Sequence, residues 1–91
     1  MLLQWSQRAR QDRISIIEYI ARDNIDAATA INAMLRDAAH GLLDFPQKGK
    51  SGRVVGTREL IVHKHYVLVY TCSQDAIRIV TVLHTSRQYP A

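Results

Sequence analysis

Residues 58–84 read RELIVHKHYVLVYTCSQDAIRIVTVLH, and the rest of the chain is organised around them. Val, Ile, Leu, Tyr and Thr dominate, the residue types that fit a pleated, half-buried surface. The stretch divides into three strands, Arg58–Val62, Tyr66–Cys72 and Ala76–Leu83. His63–Lys64–His65 and Ser73–Gln74–Asp75 separate them, and connections so short join only antiparallel neighbours. Side chains alternate between faces along a strand. In the middle strand Tyr66, Leu68, Tyr70 and Cys72 share one face and Val67, Val69 and Thr71 the other. Both faces are apolar, which predicts a central strand, with Cys72 a small buried residue and Tyr66 and Tyr70 in the core. Strict alternation in the last strand puts Ile77, Ile79, Thr81 and Leu83 on one face and Arg78, Val80, Val82 and His84 on the other.

Upstream, Leu2–Trp5 is a short strand expected at a sheet edge or beside the C-terminal strand, with Trp5 a packing anchor. Ser6 is a natural N-cap. A helix follows from Gln7 to about Arg22, because Ala9, Ile16, Ile17 and Ile20 recur on one side of a 3.6-residue spiral. Asp23–Asn24 breaks it. Asp26 is the expected cap of a second helix reaching about Leu43, with a stripe of Ile31, Met34, Leu35, Ala38 and Leu42. Ala27, Ala28, Ala30 and Ala33 let a neighbouring helix approach closely, so the two form an antiparallel hairpin. Gly41 weakens the last turn and Pro46 bars continuation. Gln47–Gly52 is a flexible basic loop without the spacing of a phosphate-binding P-loop. Arg53–Val55 is a short strand, Gly56–Thr57 a turn, and Thr85–Ala91 a polar tail. The order predicts a single α+β domain over residues 1–91: an N-terminal strand, then an antiparallel two-helix hairpin covering one face of a twisted antiparallel sheet.

A chain of 91 residues buries ~65% of its unfolded surface, so stability is modest and a partner can matter. No apolar run approaches the roughly 20 residues that span a bilayer, and the N-terminus lacks the order of a signal peptide. A lone cysteine allows no internal disulfide and no cysteine-based metal site. These features predict a cytoplasmic protein with no membrane partner and no cofactor. His63 and His65 share a strand side but have no carboxylate or cysteine nearby, so no metal site is expected. The net charge of +4 is uneven: residues 1–45 are close to neutral, whereas residues 46–91 carry seven Lys or Arg against Glu59 and Asp75. A cationic sheet half suits an acidic partner, nucleic acid or protein; it equally solvates a small domain.

Several strings, in order and spacing, resemble the RelE/ParE superfamily of bacterial toxins: Trp5–Ser6 with Ala9 and Ile16, Tyr19 and Ile20; Phe45–Pro46 before a Gly/Lys loop; GTREL at 56–60; YVLVY at 66–70; and VLHTSR at 82–87. The resemblance covers nearly the whole chain. It implies a growth-inhibiting toxin held in a hetero-oligomer by a cognate antitoxin whose tail lies across it. RelE-like members of the superfamily cut mRNA on the ribosome; ParE-like members inhibit DNA gyrase without nuclease chemistry.

Cutting RNA requires a group to take the 2′-hydroxyl proton, positive charge at the phosphorane-like transition state, and an acid for the leaving oxygen. RelE-like toxins place Lys and Arg on the central strands, with one Arg after the first Tyr of the YRLVY motif. Here that position is Val67, and the preceding strand carries Glu59. His84, Arg87 and Tyr89, with Arg58 or Arg53, are the catalytic set if the chain is a nuclease. Otherwise His84 is a sheet-end histidine bonded for structure, and Arg58 pairs with a carboxylate on a helix. The apolar centre favours the ParE branch, with Arg53, Arg58, Arg78 and Arg87 as partner-binding residues and DNA gyrase as target. The alternatives are a ribosome-dependent mRNA endonuclease and an interaction module without toxicity.

Overall fold

The structure is a computed structural model that describes residues 1–90; Ala91, the end of the expected tail, lies outside them. The elements in chain order are β1 (Leu2–Trp5), α1 (Gln7–Ala21), α2 (Ile25–Gly41), β2 (Lys50–Ser51), β3 (Arg58–His63), β4 (Tyr66–Cys72) and β5 (Ala76–His84). They form a two-helix hairpin on a five-stranded sheet of order β1-β5-β4-β3-β2. The antiparallel expectation holds for β2 to β5. β1 instead lies parallel to β5, Leu2 opposite Ala76 through Trp5 opposite Ile79, so the sheet is mixed. The long helical excursion between β1 and the remaining strands is what permits parallel pairing.

β4 is the central strand, as its two apolar faces require, and Leu68, Val69 and Tyr70 are fully buried. Towards the helices it presents Tyr66, Leu68 and Tyr70. These meet Ile77, Ile79 and Val82 of β5, Ala9 of α1, and Ile31, Leu35, Ala39 and Leu42 from α2 and its end. Each fully buried Leu or Ile contributes about 1.5–3 kcal/mol relative to exposure. Ile16, Ile17 and Ile20 seal the core from α1. Met34, expected in the α2 stripe, is exposed.

Both helices begin at side-chain caps. Ser6 Oγ accepts the N–H of Ala9 at 2.9 Å. Asn24, not Asp26, caps α2, its Oδ1 accepting from Ala27 N–H at 3.0 Å. Asp26 falls inside the first turn, where its charge favours the helix N-terminus. α2 ends at Gly41, two residues before the expected stop near Leu43.

Strict alternation fails in β5. Val69 pairs with Thr81 but Tyr70 with Ile79, leaving Val80 as an extra residue, a β-bulge. Beyond it the faces exchange, so Val82 joins Ile77 and Ile79 in the core and His84 packs against Tyr66. The bulge lies where β1 stops, and side chains from the start of α1 take over the exposed backbone. Ser6 Oγ donates to the Val80 carbonyl at 2.8 Å, and Val82 N–H donates to Asp12 Oδ2 at 3.2 Å. The Thr81 hydroxyl donates to the same carboxylate oxygen.

The expected strand at Arg53–Val55 is absent. The two-residue strand is Lys50–Ser51, opposite Arg58–Glu59, and residues 52–57 form the connecting turn. Gly52 N–H donates to Thr57 O and Thr57 N–H to Val54 O, a closure completed by Gly56 at φ 86°, a conformation glycine adopts freely. Val54 and Val55 carry strand propensity, but the turn leaves Val55 99% exposed with nothing to pair against.

Candidate functional site

Three arrangements bring the polar side chains of the sheet half together. The first fixes the basic loop. Tyr70, buried at the sheet centre, accepts the Gly49 N–H at 3.0 Å and donates its hydroxyl to the Pro46 carbonyl at 2.8 Å. Arg58, the cross-strand neighbour of Tyr70, donates from Nη1 to the Gly49 carbonyl at 2.7 Å. A Cβ on Gly49 would stand 2.8 Å from the Tyr70 ring and 2.9 Å from the Glu59 carbonyl, so only glycine allows this approach. The loop expected to be flexible is therefore anchored at Pro46 and Gly49. Arg58 serves this anchor rather than an ion pair with a helix.

The second lies on the face turned away from the helices. Glu59, 5% exposed, accepts from the Arg53 backbone N–H at 2.8 Å and from Arg53 Nε and Nη2 at 3.0–3.2 Å. The Arg53 hydrogen bonds hold the Glu59 carboxyl below its ordinary range, against the opposing effect of burial. The same bonds raise the Arg53 guanidinium, which also lies 5.3 Å from the Tyr89 ring centroid, a cation–π distance. Tyr89 thus brings the tail back over the 52–57 turn. Val67 and Val69, on this face by alternation, are only 6% and 0% exposed, and Val69 is the cross-strand partner of Glu59.

The third is a groove between α1 and the end of β5, about 480 Å³, lined by Asp12, Tyr19, Tyr66, His84, Ser86 and Arg87 among others. His84 Nδ1 accepts the Ser86 N–H at 3.1 Å, with Ser86 Oγ at 2.7 Å. That acceptor role places the proton of a neutral ring on Nε2. His65 stacks on His84 at 5.3 Å, and His63 lies 5.5 Å from His65. His63 Nδ1 is likewise engaged by the His65 N–H at 3.2 Å. Partial desolvation lowers the His65 pKa, helped by Lys64, His84 and His63. Burial raises that of Tyr66. Among the described residues no group of three or more His, Cys, Asp or Glu is arranged to hold a metal ion.

The candidate residues therefore do not form one constellation. His84 and Arg87 share the α1–β5 groove. Arg53 and Tyr89 stand together on the other face, tied to Glu59. Arg58 is bound to Gly49, and Arg78 is exposed on β5 with cross-strand neighbours Thr71 and Gln4. Cys72, expected to be buried, is exposed at the last position of β4. Asp12 was not among the candidates, yet it forms a wall of the groove and holds the β5 bulge. Its one sequence signal is its placement four residues after Arg8, with which it forms an ion pair at 3.5 Å.

The fold is thus a helical hairpin on a mixed sheet, with the candidate cations divided between separate places on it. The sequence model of the family described as ParE toxin of type II toxin–antitoxin system, parDE, matches residues 3–89. The chain belongs to this family and is the toxin component of a type II toxin–antitoxin system. The candidate toxin Y4kP of Sinorhizobium fredii is 35% identical over 89 residues, 97% of this chain and 92% of the relative. Toxin RelE2 of Caulobacter vibrioides is 31% identical over 83 residues, 91% of this chain and 93% of the relative. Among solved structures, a chain of the chromosomal ParDE toxin–antitoxin system from P. aeruginosa superposes with a TM-score of 0.80 at 18% identity, over 92% of this chain and 95% of the other, which shows the shared fold. The family places an antitoxin among this protein's partners. No helix of the described residues is long and apolar enough to cross a membrane.

Proposed function

We propose that the free toxin inhibits DNA gyrase in the cytoplasm and that its antitoxin relieves the inhibition by direct binding. The observation that carries this reading is the dispersal of the cations. A phosphoryl-transfer site needs positive charge converging on one phosphate. Here Arg58 is bound to a backbone carbonyl, Arg53 is neutralised by Glu59, and buried valines occupy the sheet centre. Arg78 and Arg87, both exposed and in no ion pair among the described residues, are the members of the proposed partner-binding set free to meet an acidic surface.

A second reading, ribosome-dependent mRNA cleavage, draws on His84 and Arg87 lining one groove with Tyr66, and on the relative named RelE2. One pair of assays separates the two. Purified toxin is added to gyrase supercoiling reactions and, in parallel, to a translation reaction whose mRNA is mapped for breaks. Supercoiling lost, with transcripts intact and activity restored by antitoxin, is the expected result. Intact supercoiling with transcripts cut on the ribosome would overturn it.

A further inference from the structure

The groove between α1 and the end of β5 holds polar groups that the fold itself does not use. Tyr66 is the clearest case. The residue is only 8% exposed, yet its hydroxyl has no hydrogen-bond partner among the described residues. Tyr70, on the same face of β4, has both of its hydroxyl bonds inside the chain. No enclosed side-chain nitrogen or oxygen of the described residues lacks a partner, so the unbonded Tyr66 hydroxyl is open to the groove it lines. Polar groups this far inside a protein are normally bonded. The partner that Tyr66 lacks is one that the groove can admit from outside.

The neighbouring groups are donors. Burial, and then Tyr19, raise the Tyr66 pKa, so the phenol keeps its proton at neutral pH. His84 meets the Tyr66 ring edge-on, and with Nδ1 taken by the Ser86 N–H its neutral ring carries the proton on Nε2. Arg87 is exposed and in no ion pair among the described residues. Asp12, the one carboxylate of the groove, is already engaged: Oδ2 accepts from Thr81 and Val82, and Oδ1 faces Arg8 at 3.5 Å. A surplus of donors suits a ligand rich in acceptor oxygens. The walls add a second requirement. Ile16 and Val82 are apolar, and Tyr19 is 67% exposed, an aromatic face left open to a planar ring.

We propose that this groove binds a nucleoside monophosphate, its phosphate on Tyr66, His84 and Arg87 and its base against Tyr19. A volume of about 480 Å³ lies in the range of small-ligand sites. The nucleotide is a ligand and not a substrate. One guanidinium with neutral donors suffices to hold a phosphate, whereas breaking a phosphodiester needs charge converging on the transition state. The inference is independent of the toxin's target.

The test titrates the whole purified toxin with AMP, adenosine, inorganic phosphate and a short oligoribonucleotide in a calorimeter. AMP should bind with a dissociation constant below about 1 mM, tighter than phosphate or adenosine alone. Tyr66→Phe deletes a hydroxyl that bonds nothing in the chain. It should leave the melting temperature unchanged while weakening AMP about tenfold. Arg87→Ala should weaken AMP and phosphate alike, by about tenfold or more. Tyr19→Ala should weaken AMP about tenfold and leave phosphate unchanged, since only AMP carries a base to stack. NMR spectra of the unaltered toxin read the same groove without substitution, and AMP should shift the resonances of Tyr19, Tyr66 and His84. No binding of AMP, or AMP affinity retained in folded Tyr66→Phe and Arg87→Ala, would overturn the proposal. So would a lowered melting temperature of Tyr66→Phe, which would reveal a partner for the hydroxyl within the chain. Equal affinity for AMP and phosphate would reduce the groove to an adventitious ion only. An oligoribonucleotide bound more tightly than AMP, or cut, would make it a nucleic-acid site and overturn the free nucleotide as its ligand.

Discussion

The hydroxyl of Tyr70 reaches from the centre of the sheet to the backbone of Gly49, accepting its N–H at 3.0 Å while donating to the Pro46 carbonyl at 2.8 Å. One side chain thus satisfies two backbone groups of a loop that has little secondary structure of its own. Tyr70→Phe leaves both without that partner and should lower unfolding free energy by about 1–3 kcal/mol. Gly49→Ala should destabilise by a similar amount, roughly 1–3 kcal/mol, because its methyl meets the Tyr70 ring. Urea unfolding measures both. Exchange of the Gly49 amide should accelerate in Tyr70→Phe beyond the change in global stability.

Glu59 makes the fold sensitive to acid. Its carboxyl titrates below the ordinary range because Arg53 hydrogen-bonds the charged form. A carboxyl depressed in the folded state stabilises fully above its unfolded value of ~4.3, and that stabilisation is lost as pH falls through the folded value. Glu59→Gln should therefore be less stable than the native chain at neutral pH by about 1–3 kcal/mol, the range for a hydrogen bond to a charged group. The gap between the two should be constant down to the ordinary carboxyl range and close below it. Melting temperatures measured from neutral pH to about pH 3 follow this convergence; a gap that does not change with pH would contradict the assignment.

Asp12 supports the distorted end of the last strand. It receives the Val82 N–H and the Thr81 hydroxyl, both at the bulge. Asp12→Ala removes the oxygen that accepts both bonds, at a nearly buried position, and should cost about 1–3 kcal/mol. Asp12→Asn retains one acceptor oxygen and should lose less. Ser6→Ala, which deletes the cap of α1 and the bond to Val80, should cost about 0.5–2 kcal/mol. Chemical denaturation of the three variants checks this order.

His84 separates the two functional readings. Under gyrase inhibition His84→Ala should leave the inhibitory concentration essentially unchanged. A general acid–base role in RNA cleavage would instead appear as a loss of roughly 10²–10⁴-fold in transcript cleavage. Both assays on the one variant decide between them.

The three long strands and both helices were legible because each shows a sustained period: alternation from Tyr66 to Tyr70, and Ile16, Ile17 and Ile20 on one helical face. Legibility failed where tertiary context overrides local preference. Val54 and Val55 have strand propensity but stand in a turn set by Gly56 and Thr57. Asn24 and Asp26 are both good caps, and only the observed φ and ψ at Asn24 select between them. The Val80 bulge is invisible to a strict period of two, and it moved Val82 and His84 to the helix side. The candidate cations were recognisable by type, but their engagement was not. That Arg58 would take a carbonyl and Arg53 a carboxylate depends on the 46–57 loop, whose path no periodicity encodes.

The parallel pairing of β1 with β5 sets an order of events for the folding chain. Residues 2–5 must wait for residues 76–79, and Ser6 for Val80, 74 positions away. The hairpins of β3, β4 and β5 close through turns of a few residues and can assemble early, whereas β1, which precedes them in the chain, has no seat until β5 exists. Refolding should therefore gain β1 only after the three-stranded meander is in place.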